Sequence, residues 1–170
     1  SKDSPMLPMI QIERGKDGST RLWIHTNNLA ERVELNSKKS LEIFFNSIES
    51  LPLLNNWQNY LSEGIINDSE FKLGEKNEAI SLCMHLNSDN EVTEWSFHLT
   101  LVKCTLIIGS EHTDALLSRK NKTRITSRLL KPIEEYIGDL DQILKISKIL
   151  RQRHLLEGNV EIPTPIYKLE

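Results

Sequence analysis

EVTEWSFHLTLVKCTLII, residues 91–108, is the stretch on which the fold turns. Trp95, Phe97, Leu99 and Leu101 alternate with Ser96, His98 and Thr100. Neighbouring side chains of a strand point to opposite faces, so a period of two predicts a strand with its apolar face buried. Upstream, EAISLCMHLN (78–87) is a second strand-like run, and Asn87-Ser88-Asp89-Asn90 supplies turn residues between the two. A hairpin is expected here, with Trp95 in the core. His85 and His98 lie within these strands and read as structural or half-exposed.

Working outward toward the N-terminus, MLPMIQI (6–12) and TRLWIH (20–25) flank Lys16-Asp17-Gly18-Ser19. Asp-Gly between two short apolar runs predicts another hairpin. His25 therefore closes a core strand, Leu22 to Ile24, and Trp23 is expected in the core. Leu41, Phe44, Phe45, Ile48 and Leu51 then recur every three or four residues, one apolar face of a helix near 38–50. Asn36 or Ser37 is available as its N-cap. Residues 52–76 mix turn formers with few periodic positions and read as loop with one short helix. Trp57 and Tyr60 fall there, placed either for stacking on bases or for packing against neighbours.

Toward the C-terminus, RKNKTRITSRLLK (119–131) carries Arg119, Lys120, Lys122, Arg124, Arg128 and Lys131 without an acid. Lys and Arg in such a run neutralise phosphates and release counterions, which makes these six the candidate RNA-binding residues. An exposed loop of no special role is the alternative. Residues 139–157 form an amphipathic helix: Leu140, Ile143, Leu144, Ile146, Ile149 and Leu150 mark its apolar side. Asp139 and Asp141 open it, Lys145, Lys148, Arg151 and Arg153 gather toward its end, and Gly158 stops it.

Several classes are excluded by the bulk numbers. The 170 residues are 38% hydrophobic and 26% charged with net charge −3, a globular composition long enough for one domain. No run approaches the roughly 20 apolar residues of a membrane-spanning helix. The first ten residues lack a secretory signal, so an intracellular, cytoplasmic protein is expected. Cys83 and Cys104 stand in apolar, strand-like surroundings and read as buried small hydrophobes; a disulfide between them stays open. The five histidines show no metal spacing, and GxGxxG, P-loop and GxSxG motifs are absent.

Four segments, in order, carry a family likeness. They are Leu22-Trp23-Ile24-His25-Thr26-Asn27-Asn28, the run from Phe71 to Ser81, the hairpin MHLNSDNEVTEWSFHLTLVKC, and the run from Leu150 to Ile162. The first resembles a strand of type [RIL]-W-[IV]-H-I-A-D and the second a segment typically SLRPGEDRLALS. The last is similar to LRxRRxxxGAxEI. Together they resemble the first half of the catalytic (RNB) domain of the ribonuclease II / ribonuclease R family, 3′-to-5′ exoribonucleases.

The resemblance also implies a cluster of aspartates ahead of the first hairpin, in a pattern like D-x(5)-D-x-D-D. Such carboxylates hold Mg²⁺, a hard cation bound through oxygen, which activates water and steadies the leaving oxygen. The matching stretch reads Asp3-Ser4-Pro5-Met6-Leu7-Pro8-Met9-Ile10. The two adjacent aspartates fall on Leu7 and Pro8, which leaves Asp3. The aspartate of H-I-A-D is Asn28, and an aromatic that clamps the RNA end is Ser50 ahead of Leu51-Pro52. The family's second half, with an arginine and further polar groups, lies beyond the match.

The expected fold is α+β: a twisted, mainly antiparallel sheet of two hairpins packed by two or three helices, residues 1–170 forming a single domain. The expected function is that of a degenerate ribonuclease II-like domain, catalytically inactive, which binds single-stranded RNA or docks a protein as an adaptor or regulator. No cofactor is expected, Mg²⁺ belonging to the active relatives. Two alternatives are a portion of an active Mg²⁺-dependent exoribonuclease completed by further sequence or a partner chain, and a protein–protein module without RNA.

Overall fold

The computed structural model describes residues 7–16, 18–45, 51–53, 56–59, 61, 63–119 and 128–161. Four strands form one antiparallel sheet in the order β1-β2-β5-β6. They are β1 (Met9–Arg14), β2 (Thr20–Asn27), β5 (Lys76–Leu86) and β6 (Val92–Lys103). A separate pair, β3 (Leu51–Leu53) and β4 (Asn56–Gln58), makes a two-stranded ribbon. The helices are α1 (Lys38–Phe45), α2 (Glu63–Ser69), α3 (Ser110–Leu117) and α4 (Ile137–Leu156). Short 3₁₀ turns span Leu29–Glu31 and Lys131–Tyr136. The α+β reading stands.

Both expected hairpins form, and their turns use the left-handed backbone that the sequence offers. Gly18 has φ +83° between β1 and β2, and Asn90 has φ +62° between β5 and β6. Glycine has no Cβ penalty there, and Asn tolerates that region better than most residues. Asn87 braces the second turn, its Oδ1 accepting from the backbone N–H of Asp89 and Glu91 at 3.0 and 2.9 Å.

Register sorts the sheet into two sides. Opposed pairs such as Ile12↔Leu22, Leu22↔Met84 and Met84↔Trp95 place Ile10, Ile12, Leu22, Ile24, Ile80, Leu82, Met84, Trp95, Phe97 and Leu99 on one side. Trp23, His25, Ser81, Cys83, Ser96, His98 and Thr100 lie on the other. Helix α4 crosses the apolar side at one end: Ile146, fully buried, meets Leu22 and Leu86, with Ile12, Met84, Val92, Ile143 and Leu150 around them. The same helix serves a second cluster through Leu140 and Leu144, around Leu116, Leu130, Ile133 and Ile137. Arg14, on the α4 side of β1, fixes the crossing by pairing with Asp139 at 2.7 Å and donating to Gln142.

Several expectations are corrected. Trp95 is 61% exposed, and Phe97, Leu99 and Leu101 are exposed with it, because α4 covers only the far end of the sheet. Period two gave the strand correctly but not what covers its face. Helix α1 is described over Lys38–Phe45, with Leu41, Phe44 and Phe45 exposed; residues 46–50, Ile48 among them, lie outside the described residues, and Leu51 belongs to β3. Its N-cap is Ser37, whose Oγ accepts from the Ser40 N–H at 3.2 Å. The strand of 91–108 stops at Lys103. The segment 52–76 holds the expected short helix, α2, and also the β3–β4 ribbon. Helix α3 and the 3₁₀ turn before α4 had no predicted counterpart.

Candidate functional site

The end of the sheet where β2 finishes is where the resemblance would place the aspartate pattern. Antiparallel pairing sets Met9 against His25, so Leu7-Pro8 enter β1 at the same end at which Asn27-Asn28 leave β2. Asn28 precedes the 3₁₀ turn Leu29–Glu31 and makes no side-chain cap bond. Asn27 donates through Nδ2 to the Ser69 carbonyl, tying the last turn of α2 to this end. Thr26 Oγ1 donates to the Ile80 carbonyl at 3.2 Å. Leu7 is 68% exposed, and Pro8 is exposed as well. An aliphatic chain, a pyrrolidine ring and a neutral amide thus occupy the three described positions at which the family pattern puts carboxylates. Leu7 and Pro8 offer Mg²⁺ no side-chain oxygen, and Asn28 offers only a neutral amide oxygen, so the carboxylates that usually hold this hard cation are missing from these three positions. Among the described residues no group of three or more His, Cys, Asp or Glu is placed to hold a metal. Asp3 and Ser50 lie outside the described residues.

Beneath this end runs a buried polar ladder. His25 is 4% exposed, and its Nδ1 lies 2.7 Å from Ser81 Oγ, which in turn bonds Thr100 Oγ1. Thr100 Oγ1 also lies 3.4 Å from the Ala79 carbonyl. The three side chains form a continuous chain of hydrogen bonds whose donor order follows the His25 tautomer. The other ring nitrogen, Nε2, is buried without a partner. Burial pushes the His25 pKa below its ordinary value of 6.5, because an imidazolium there would be poorly solvated. Trp23 stacks beside His25 at 6.0 Å and reaches His98 at 5.4 Å across the intervening strand. Trp23 is half-buried rather than core, its indole N–H donating to Glu13 at 3.0 Å. Cys83 is buried under this layer, a free thiol whose pKa burial pushes up; Cys104 is free as well. Neither is in a disulfide.

The six basic candidates divide. Arg119 is nearly buried, with 6% of its side chain exposed, and pairs with Asp141 of α4 at 2.6 Å. The pair ties Arg119, just beyond α3, to the helix that crosses the sheet. Arg128 and Lys131 are exposed, before and at the start of the 3₁₀ turn Lys131–Tyr136. Lys120, Lys122 and Arg124 lie outside the described residues, as do Tyr60 and the side chain of Trp57. The ladder at Ser81 and Thr100 was not foreseen. Its signal, small hydroxyl residues at register-matched positions of adjacent strands, appears only once the pairing is known.

The sequence matches the family model of the RNB domain over residues 2–170. The chain belongs to the RNB domain family. Solved structures agree on the fold. RNase R of Mycoplasma genitalium, in complex with ribose-methylated single-stranded RNA, superposes with TM-score 0.71 and 15% identity over 91% of this chain. An active-site mutant of the Dss1 exoribonuclease from Candida glabrata gives 0.67 and 16% over 91%. Yeast Ssd1, a pseudonuclease, gives 0.61 and 16% over 72%. This RNB chain spans only 22, 21 and 15% of those three proteins, respectively. No curated protein matches. At such identities the structural likeness establishes the fold alone.

Proposed function

We propose that this chain is a single RNB-type domain, corresponding to the first half of a ribonuclease II-like catalytic domain, that binds single-stranded RNA without hydrolysing it and serves as an adaptor or regulator. The observation that carries this reading is the replacement of three carboxylate positions by Leu7, Pro8 and Asn28 at one end of the sheet. Hydrolysis by two metal ions needs oxygen ligands that clamp the attacking and leaving oxygens, and these residues supply no charged oxygen. RNA contact needs only cations along a path. Arg128 and Lys131 are exposed for that purpose, while Arg119 holds their segment against α4. Lys120, Lys122 and Arg124 complete the proposed contact set.

The fold accommodates both halves of the proposal: among its neighbours one RNase R structure holds single-stranded RNA, and Ssd1 is a pseudonuclease. The alternative, a portion of an active exoribonuclease, is favoured by the small share of the relatives that the chain covers. One assay separates them. Purified chain with Mg²⁺ and 5′-labelled single-stranded RNA is expected to retard the RNA at low salt and leave its length unchanged. Progressive 3′ trimming, lost on adding a chelator, establishes the alternative. Retardation that survives Arg124→Ala/Arg128→Ala unchanged removes the basic run from the proposal, and no retardation at low salt leaves protein docking.

A further inference from the structure

We propose that the outward face of α4 formed by Lys145, Lys148 and Gln152 is a second track for the phosphate backbone of single-stranded RNA, continuing from the basic run 119–131. The inference deepens the RNA-binding reading above and rests on it.

Helix α4 sorts its residues by face. Ile143, Ile146 and Leu150 pack in the cluster of Leu22 and Leu86, while Leu140 and Leu144 pack in that of Leu116 and Ile133. Asp141, Lys145, Lys148 and Gln152 follow one another at spacings of four, three and four, which lines them up on one face. At 1.5 Å per residue the line runs roughly 16 Å, room for several phosphates at the roughly 3.4 Å spacing of stacked nucleotides. Lys145, Lys148 and Gln152 are exposed. The foot of the line is where the basic run begins: Arg119 pairs with Asp141 at 2.6 Å and neutralises the acid of this face. From Gln142 to Leu156 the helix then carries four Lys and Arg and no acid.

These four cations divide. Arg151 is held by Glu161 at 2.7 Å and Arg153 by Glu157 at 3.2 Å. Among the described residues Lys145 and Lys148 enter no ion pair. The helix dipole accounts for Arg153 and His154 in the last turn, but its effect fades beyond that turn, and both lysines stand further back. Their neighbours do not favour them either. Asp141, one turn before Lys145, is taken by Arg119, and Lys148 stands between Lys145 and Arg151, three residues away on each side. Like charges so spaced repel one another and cost the free helix stability. A polyanion laid along the face turns that repulsion into attraction. The line offers no aromatic or aliphatic anchor, and lysine is depleted at protein interfaces, whereas its ammonium neutralises phosphates. The Gln152 amide adds an N–H donor for a phosphate oxygen.

The test reads the salt dependence of binding to a labelled oligouridylate, by fluorescence anisotropy, with the whole 170-residue chain. Lys145→Ala/Lys148→Ala removes two phosphate contacts and is expected to flatten the slope of log K against log salt by about 1.4. Counterion release alone then corresponds to roughly 25-fold weaker binding at 0.1 M salt. Arg151→Ala/Arg153→Ala changes the net charge equally but removes cations already paired, and is expected to move the slope by less than about 0.3. Alanine suits exposed helix positions, so both variants are expected to melt within about 2 °C of the parent. Equal flattening by the two double variants overturns the proposal, since net charge then explains the loss. A slope that the lysine pair leaves unchanged while Arg128→Ala flattens it overturns this track and keeps the basic run. No binding at low salt overturns both readings together. Polyglutamate that binds the parent as tightly as RNA of matched charge, and loses that binding in the lysine variant, overturns the assignment to RNA in favour of an acidic protein.

Discussion

His25 shows how one residue couples the sheet to pH. Its neutral ring bonds Ser81 through Nδ1 and leaves Nε2 buried without a partner. The folded pKa is lowered from 6.5, so in the window between the folded and unfolded values the unfolded chain binds more protons. Stability therefore rises with pH across that window and falls as pH drops through about 6.5. Urea midpoints measured from pH 8 to 5 are expected to fall on the acid side, and His25→Gln, which cannot titrate, is expected to flatten that slope. A slope unchanged by His25→Gln would assign it to other groups. A second residue-scale outcome concerns Ile146, fully buried between Leu22 and Leu86. Ile146→Ala is expected to cost about 2–5 kcal/mol, the range for a buried aliphatic truncation, read as a shifted urea midpoint at constant slope. Ile146 was visible in the sequence through its place on the periodic helix. The partners of His25 were not, since they come from strands 56 and 75 residues away whose register no local pattern states.

At the scale of elements, caps and stops behave differently according to what each helix buries. Ser37 caps α1, and its loss costs about 1 kcal/mol of helix. Because Leu41, Phe44 and Phe45 remain exposed, Ser37→Ala is expected to speed amide exchange within α1 while the global midpoint barely moves. Gly158 ends α4 with φ +89°, its N–H bonded to the Leu155 carbonyl at 3.1 Å. Gly158→Ala forces a Cβ into that region and is expected to destabilise by about 1 kcal/mol, seen in chemical denaturation because α4 spans both apolar clusters. The contrast explains which elements the sequence disclosed. Helix α4 and the two hairpins announce themselves through periodicity and turn residues. α3 has its apolar residues Ala115, Leu116 and Leu117 in a row rather than three or four apart, and β3 and β4 have three residues each, too few for a period to register. The exposed side of β6 was misjudged for another reason: alternation says which side chains share a face, and only the neighbouring elements decide whether that face is covered.

For the whole molecule, the proposed RNA binding raises the question of how a chain of net charge −3 would hold a polyanion. The answer lies in distribution. Twenty-one basic residues are outnumbered by 24 acids overall, yet 119–131 contains six cations and no acid. Arg119 is already neutralised by Asp141, so at most five remain for phosphates. Counterion release from single strands gives a slope of log K against log salt of about −0.7 per phosphate neutralised. Full engagement of the five thus predicts a slope near −3.5, measurable by fluorescence anisotropy with a labelled oligonucleotide between about 25 and 200 mM salt. Arg128→Ala is expected to reduce the slope by about 0.7 and weaken binding similarly for any sequence, because phosphate contacts carry no base information. Arg119→Ala should act differently. It removes no free phosphate contact, so the number of phosphates neutralised stays nearly constant while affinity falls through loss of the anchor to α4. A slope that drops as much for Arg119→Ala as for Arg128→Ala would mean that the Asp141 pair opens when RNA binds.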